Sequence, residues 1–298
     1  MITLKESCFL IGYGLMCFGF QKVRPLFKGI IITDSCNLRC RHCTIYDNKV
    51  GDVPFNELKN YLRQLYDMGI RIIYLQGGEP FLWQDKNDKL ESIIQFARTI
   101  GFFRIYVCTN GTYLLNSSAD IIWVSIDGLK GKHDLIRGKT FDTIMRNIDC
   151  SSHKNIRVQT TLNMINYSDL AGLVQFVDAH PKFKGILFNL HVPYPGTEDL
   201  YIDNPLRSEL IDTLIELKQR GAYILNTFSA LRALKTNSWK RPLESCLALP
   251  YQKRSQCEST RSNRDICKKC GYGATVEAAE INKINLPVIY HVSKMLFS

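Results

Sequence analysis

The chain has 298 residues, of which 45% are hydrophobic and 22% charged, and its formal charge is +10. This length and balance bury a sizeable core and exclude a disordered or collagen-like chain, and an α/β barrel of this size can be one domain. Eleven cysteines in so long a chain, seven of them in two metal-type clusters, speak against a small secreted disulfide scaffold and make the reducing cytoplasm the expected location.

From the N-terminus, Cys8–Phe20 is an uncharged apolar run of thirteen residues. It falls short of the roughly 20 residues that span a bilayer, and its glycines weaken it as a helix. Lys5 and Glu6 make a poor start for a signal peptide, and no small-residue cleavage site precedes Gln21. Residues 1–28 are therefore expected to form an apolar extension, a lid or a buried segment over the barrel, with shallow membrane-surface contact as the alternative.

Beyond it, β-branched apolar runs begin near Ile30, Ile72, Phe103, Ile121, Ile156 and Gly185, and helical patterns separate most of them. Over Glu57–Met68, residues Leu58, Tyr61, Leu62 and Leu65 share one helical face. Ser168–Ala179 predicts a serine-capped helix that stops before His180-Pro181, and Pro205–Arg220 predicts one that stops before Gly221. Near-continuous apolar strands alternating with amphipathic helices predict a parallel sheet covered by helices. The fold class is thus α/β: a partial (β/α)6 TIM-type barrel over residues 29–220, then a small Cys-rich metal-binding module over 221–298.

Residues with chemical potential follow directly on these strands. The densest signal is Cys36-Asn-Leu-Arg-Cys40-Arg-His-Cys43, after the first. Three thiolates on one short loop can hold three irons of a [4Fe–4S] cluster and leave the fourth iron open to a small molecule. A structural cluster or zinc site is normally closed by a fourth ligand. His42, between two of the cysteines, is expected to point away from them.

Gly77-Gly78-Glu79-Pro80 follows the second strand, Thr109-Asn110-Gly111-Thr112 the third and Ser125-Ile126-Asp127-Gly128 the fourth. The glycines would let backbone pass close to a ligand; Asn110, Ser125 and Asp127 are polar ligand partners or ordinary turn formers. His133-Asp134-x-x-Arg137-Gly138 reads either as an anion-binding arginine or as a helix-capping His-Asp pair beside a surface arginine. On the sixth strand, Asn189, His191 and Tyr194 fall near the rim, with His191 either an acid/base or a satisfied packing residue. Ligands of parallel α/β folds sit beyond the carboxyl ends of the strands, so these segments converge on one rim.

Near the C-terminus, Cys246-x10-Cys257-x9-Cys267-x2-Cys270 supplies four thiols, a closed shell for a second [4Fe–4S] cluster or for zinc. Lys253, Arg254, Lys268 and Lys269 lie beside them, and from Lys218 to Cys270 twelve Lys and Arg stand against three Asp and Glu. This basic region fits a solvated face, an anionic substrate, an acidic electron donor or an anionic membrane surface. No aromatic-interleaved motif supports nucleic acid. The run Leu286–Phe297, with Lys294 as its one formal charge, is a second apolar surface.

Together these motifs resemble the radical S-adenosylmethionine (SAM) superfamily, whose signature is CxxxCxxC with an aromatic-type residue, here His42, before the last Cys. His133-Asp134-x-x-Arg137-Gly138 resembles the branch that holds molybdenum-cofactor enzymes and peptide maturases. The last four cysteines resemble twitch or SPASM-type auxiliary-cluster modules, with fewer cysteines than the full SPASM pattern. The similarity covers roughly residues 29–200. It implies a (β/α)6 barrel, a [4Fe–4S] cluster on Cys36, Cys40 and Cys43, and reductive cleavage of SAM to methionine and a 5′-deoxyadenosyl radical. It implies further that Gly77, Gly78 and Glu79 meet the methionine moiety, Glu79 through the ammonium. Asn110, Ser125 and Asp127 would take the ribose hydroxyls and the carboxylate, and Arg137 the SAM carboxylate or a substrate anion.

An auxiliary [4Fe–4S] cluster on Cys246, Cys257, Cys267 and Cys270 is the expected second group, and an acidic ferredoxin or flavodoxin the expected electron donor. The apolar ends and basic region lean the substrate toward a lipid or small molecule near a membrane. Peptide modification is the alternative, disfavoured because the cysteine motif begins 35 residues in, with no leader-peptide-binding domain before it. The rival from another class is a cluster- or zinc-bearing scaffold without turnover.

Overall fold

The computed structural model describes residues 6–9, 12–13, 15, 26–45, 51–241, 264–281 and 283. Cys246, Cys257, Lys253, Arg254 and the run Leu286–Phe297 lie outside those residues. Six strands form one parallel sheet in chain order. They are β1 (Phe27–Thr33), β2 (Ile72–Gly77), β3 (Arg104–Thr109), β4 (Ile121–Ser125), β5 (Ile156–Leu162) and β6 (Phe183–Leu190). Each pairs with the next, from Phe27↔Ile72 at one edge to Leu162↔Leu190 at the other, and β1 does not bond to β6. This is the expected partial (β/α)6 barrel.

Helices follow the strands on the outside: α1 (Phe55–Asp67), α2 (Leu90–Ile100), α3 (Lys130–Arg137), α4 (Phe141–Cys150), α5 (Leu170–Ala179) and α6 (Leu206–Gln219). The first predicted stripe is observed, with Leu58, Leu62 and Leu65 of α1 buried against Ile30, Ile32 and Ile73. On the other half of the sheet, Leu210, Ile211 and Leu214 of α6 join Ile186 and Phe188 of β6 in the larger core. Each such side chain contributes about 1.5–3 kcal/mol by leaving water. The predicted serine cap of α5 is not made. A 3₁₀ turn over Tyr167–Asp169 precedes the helix, and the Asp169 carboxylate accepts the Leu129 N–H at 2.9 Å, tying the start of α5 to the loop after β4.

The described part of the N-terminal extension lies beneath the barrel, not over its mouth as a lid. Glu6 pairs with Arg104 at 2.5 Å, and Phe9 packs edge-on to Phe103 at 5.2 Å. Arg71 stacks its guanidinium over Phe9 at 4.9 Å. All three partners sit at the amino ends of β2 and β3, the end opposite the cysteine loop. The physical reason is an apolar layer there, with Ile72, Phe103 and Ile121, which needs cover from water.

After α6 come α7 (Phe228–Thr236), α8 (Arg264–Lys268) and α9 (Gly273–Ile281). The segment leading into α9 docks on the free edge of β6, where Leu190 N–H bonds Gly271 O at 2.8 Å. A Cβ on Gly271 would sit 2.4 Å from the Leu190 Cβ, so the close approach needs glycine. Helix α9 packs on α7 and β6 and brings Ala274 and Glu277 opposite Phe27 of β1, on the side where the sheet stays open. Its anchor is Glu277, whose carboxylate accepts the Thr227 N–H at 2.7 Å and the Thr227 hydroxyl at 2.8 Å. Thr227 in turn caps α7 through the Ala230 N–H at 3.0 Å.

Burial pushes the Glu277 carboxyl up to about 7, against the hydrogen bonds from Thr227 and the attraction of Lys218, with Glu280 adding a second upward push. The folded chain therefore keeps this proton through a window in which the unfolded chain, with the ordinary carboxyl value of 4.5, has lost it. Stability is expected to fall as pH rises from 4.5 to about 7. Urea melts should show Glu277→Gln flattening that slope by an amount on the order of 3 kcal/mol across the window.

Candidate active site

The cysteine loop leaves β1 at Thr33 and is held by β2 through the main chain. Gly78 N–H bonds Thr33 O at 2.9 Å, and Glu79 N–H bonds Ser35 O at 2.8 Å. A Cβ on Gly77 would lie 2.0 Å from Thr33 O, and one on Gly78 would lie 2.2 Å from Ser35 O. The glycines are thus required by the cysteine loop's own backbone, a nearer neighbour than the ligand the sequence reading invoked. Both still face the cavity described next.

A cavity of about 280 Å³ opens at the carboxyl ends of the strands, and Cys36, Cys40 and Cys43 all line it. So do Gly77, Gly78, Asn110, Ser125, Arg137 and His191. His42 lines it too, in contrast to the expectation that it turns away. Its ring is edge-on to His191 at 6.4 Å, burial lowers its pKa to about 4, and its Nδ1 has no hydrogen-bond partner among the described residues.

Glu79 and Asp127, the other two residues singled out at strand ends, are not on the cavity wall. Both are fully buried. Glu79 accepts from the Thr109 hydroxyl at 2.7 Å, the Asn110 N–H at 2.7 Å and the Phe81 N–H at 3.1 Å. Its carboxylate clamps the end of β2 to the end of β3. Asp127 accepts from Arg137 Nε at 2.6 Å and the Thr161 N–H at 2.8 Å, so it acts as the counter-ion under Arg137. The guanidinium holds the Asp127 carboxyl below the usual carboxylate range despite burial.

Arg137 ends α3, and its Nη1 reaches 3.8 Å from Cys40 Sγ. It is not the surface arginine of the capping reading. The capping half of that reading is correct: Asp134 accepts the N–H groups of Thr140 and Phe141 at 3.1 and 3.0 Å. His133 accepts the Asp127 N–H at 3.2 Å, and burial lowers its pKa to about 4. Asn110 donates to Asn37 Oδ1 at 2.9 Å and approaches Cys36 Sγ at 3.8 Å, steadying the cysteine loop from β3. Ser125 accepts from Gln159 Nε2 at 3.1 Å. His191 Nε2 sits 3.0 Å from both Thr197 O and Thr197 Oγ1, and burial lowers its pKa. That bond braces the loop after β6 and weighs for the packing reading of His191.

Several wall residues went unread in the sequence: Gln159, Thr161, Tyr272 and Thr275. The signal for those on strands was the period of two, because Gln159 and Thr161 are polar positions on the inward face of an apolar run. Cys270 also lines this cavity. Its N–H bonds Cys267 O at 3.1 Å, and Arg241 Nε donates to Cys267 O at 2.6 Å.

The donor set fits a cluster: three thiols of the same loop open onto one cavity, with Arg137 beside them. Burial pushes the Cys40 thiol up to about 11, with Arg137 opposing, so loading a metal there must expel a proton. Arg137 is placed to offset the negative charge that thiolates bring.

Comparison with known proteins agrees with this arrangement. Residues 30–176 match the model of the Radical SAM superfamily, and the chain belongs to that superfamily. Fe-coproporphyrin III synthase of Methanosarcina barkeri is 28% identical over 62% of this chain and 49% of its own length. GTP 3',8-cyclase of Haemophilus influenzae is 33% identical over 53% of this chain and 51% of its own. The chain therefore spans about half the length of these curated relatives. Among solved structures, Streptococcus suis SuiB bound to precursor peptide SuiA superposes with a TM-score of 0.57 at 15% identity, over 80% of this chain and 57% of that one. That likeness is one of fold.

Gly78→Ala is expected to destabilise the chain by more than about 2 kcal/mol, because its methyl meets fixed backbone rather than a movable side chain. Chemical denaturation and iron per chain after reconstitution should both fall.

Proposed function

We propose that the chain uses S-adenosylmethionine and a [4Fe–4S] cluster held by Cys36, Cys40 and Cys43 to abstract hydrogen from a small-molecule or peptide substrate in the barrel. The single observation that carries this is three thiols of one loop opening, beside Gly77 and Gly78, onto the cavity at the barrel mouth. When bound, the pair supplies one-electron reduction and homolytic cleavage to a 5′-deoxyadenosyl radical. The protein's part is to hold, orient and keep dry. Glu79 and the Thr33–Ser35 bonds fix the cysteine loop. Arg137 and Asn110 place donors beside Cys40 and Cys36. Helix α9 and the Cys270 segment wall the open side of the barrel, where water would otherwise quench a reactive carbon.

The lipid reading loses one of its supports, because the described N-terminal residues pack under the barrel. The second apolar run lies outside the described residues, and no described helix is long and apolar enough to cross a membrane. The cavity wall is mainly apolar with carboxamides and hydroxyls, including Gln76, Gln159 and Thr161, set into it, which supports a small molecule or peptide with both apolar and polar parts. The SuiB structure with its precursor peptide is in keeping with that. An acidic electron donor, an auxiliary cluster on Cys267 and Cys270 with Cys246 and Cys257, and the module boundary near residue 220 are parts of the same proposal.

Anaerobic reconstitution followed by dithionite and SAM should release 5′-deoxyadenosine. Cys40→Ala should reduce the yield at least about 100-fold, since that thiol is a cluster ligand in this reading. A fully iron-loaded wild type that releases none contradicts the proposal.

A further inference from the structure

Arg207, near the start of α6, is 0% exposed, and a buried arginine is ordinarily met by a carboxylate. Here its Nε donates to Leu234 O at 2.7 Å, its Nη1 reaches the Tyr201 hydroxyl at 3.4 Å and its Nη2 reaches Asn237 Oδ1 at 3.4 Å. The same Asn237 Oδ1 accepts from Arg241 Nη2 at 2.6 Å, so one amide oxygen joins two guanidiniums. The groups these nitrogens bond among the described residues are all neutral. Asp203, the carboxylate that attracts Arg207, is itself exposed and screened by water. Two like charges are thus held side by side, one of them wholly buried, and each disfavours the other. Such a pair is costly unless an anion close by offsets it.

Both guanidiniums are directed at the turn Cys267–Cys270. Arg241 Nε donates to Cys267 O at 2.6 Å, its Nη2 bonds Lys268 O, and Asn237 Nδ2 donates to Lys268 O at 2.8 Å. The Cys270 N–H closes the turn on Cys267 O at 3.1 Å. Asn237 reaches it from the end of α7 in the left-handed region, at φ 51°, which asparagine tolerates better than most residues. As thiolates, Cys270 attracts both guanidiniums and Cys267 attracts Arg241. Every guanidinium nitrogen of the pair already has a carbonyl, amide or phenol partner, so the pair offers charge rather than a free fork for a phosphate or carboxylate ligand. Lys268, the sequence neighbour of Cys267, pairs with Asp265 at 2.9 Å in solvent and leaves the balancing to the arginines.

We infer that Arg207 and Arg241 are positioning residues for the C-terminal cysteine centre. Arg241 and Asn237 hold the Cys267–Cys270 turn by its carbonyls, and the two guanidiniums supply the positive charge that balances thiolate ligands when metal is bound there. The inference rests on the auxiliary centre proposed above and does not depend on the loop of Cys36, Cys40 and Cys43. It applies equally to a [4Fe–4S] cluster and to a single zinc-type ion, since both take deprotonated thiols. Removing the Arg207 charge should therefore weaken metal binding more than it weakens the metal-free fold.

The test uses the full chain with Cys36, Cys40 and Cys43 replaced by alanine, so that bound metal reports on the C-terminal thiols. Cobalt(II) is titrated against a competing chelator and followed by its thiolate charge-transfer absorption. Arg207→Gln should weaken cobalt binding at least about tenfold, and Arg207→Lys, which keeps the charge, should recover most of that loss. Urea melts with and without cobalt supply the readout that a packing role would not move. The rise in midpoint on loading should shrink in Arg207→Gln and persist in Arg207→Lys. Arg241→Gln takes the place of Arg207→Gln if the latter fails to fold, with the same loss expected. Unchanged cobalt affinity in the glutamine variant overturns the inference and leaves the auxiliary centre standing. Equal losses in Arg207→Gln and Arg207→Lys overturn it too, since they would mark a role in shape rather than charge. A parent chain that takes up neither cobalt nor, on reconstitution with sulfide, iron would sink the auxiliary centre and this inference together.

Discussion

Backbone contact between two strand ends governs this site. Thr33 O and Ser35 O accept the N–H groups of Gly78 and Glu79, so the loop bearing Cys36, Cys40 and Cys43 is positioned by main chain before any cofactor arrives. Only residues without a Cβ fit at 77 and 78, where a methyl would come within 2.2 Å of a carbonyl oxygen. The same motif then sends the Glu79 side chain sideways to β3, where Thr109 and the Asn110 N–H receive it. Three strand ends thus share one hydrogen-bonded knot, and the cysteine loop is its outer face.

Charge is arranged in the same economical way around that loop. Asp127 and Arg137 form a buried pair at 2.6 Å, and the guanidinium continues outward to Cys40 at 3.8 Å. Removing either partner would strand a charge away from water, a loss larger than the pair's own attraction. The pair therefore specifies where the arginine points more than it stabilises the fold. His133 and Asp134, which precede Arg137 by one helical turn, bracket the helix ends so that the pointing is fixed.

Much of this was legible in the sequence, and what was not has definite physical causes. The strand positions followed from β-branched runs, and the rim from the fact that every motif trails a strand. Whether a strand-end carboxylate faces the lumen or a neighbouring strand depends on one residue of register. Glu79 and Asp127 both turned to the protein side of that choice. The N-terminal run was readable as apolar and needing cover, but its destination was set by Arg104, Arg71 and Phe103 far along the chain. Cys270 and α9 close the open side of the barrel through Leu190 and Thr227, contacts between segments 50 or more residues apart that no local pattern announces.

The lumen behind the cluster loop is mainly apolar at its mouth, with carboxamides and hydroxyls set into the wall, and aromatic below. All of it presupposes an iron site that receives SAM. EPR of the anaerobic, dithionite-reduced chain, recorded with and without SAM, tests this most directly. The account predicts an iron–sulfur signal whose g-values move on SAM addition, lost when Cys36, Cys40 and Cys43 are replaced by alanine. A spectrum indifferent to SAM, or a SAM-responsive signal that survives the triple replacement, would contradict it.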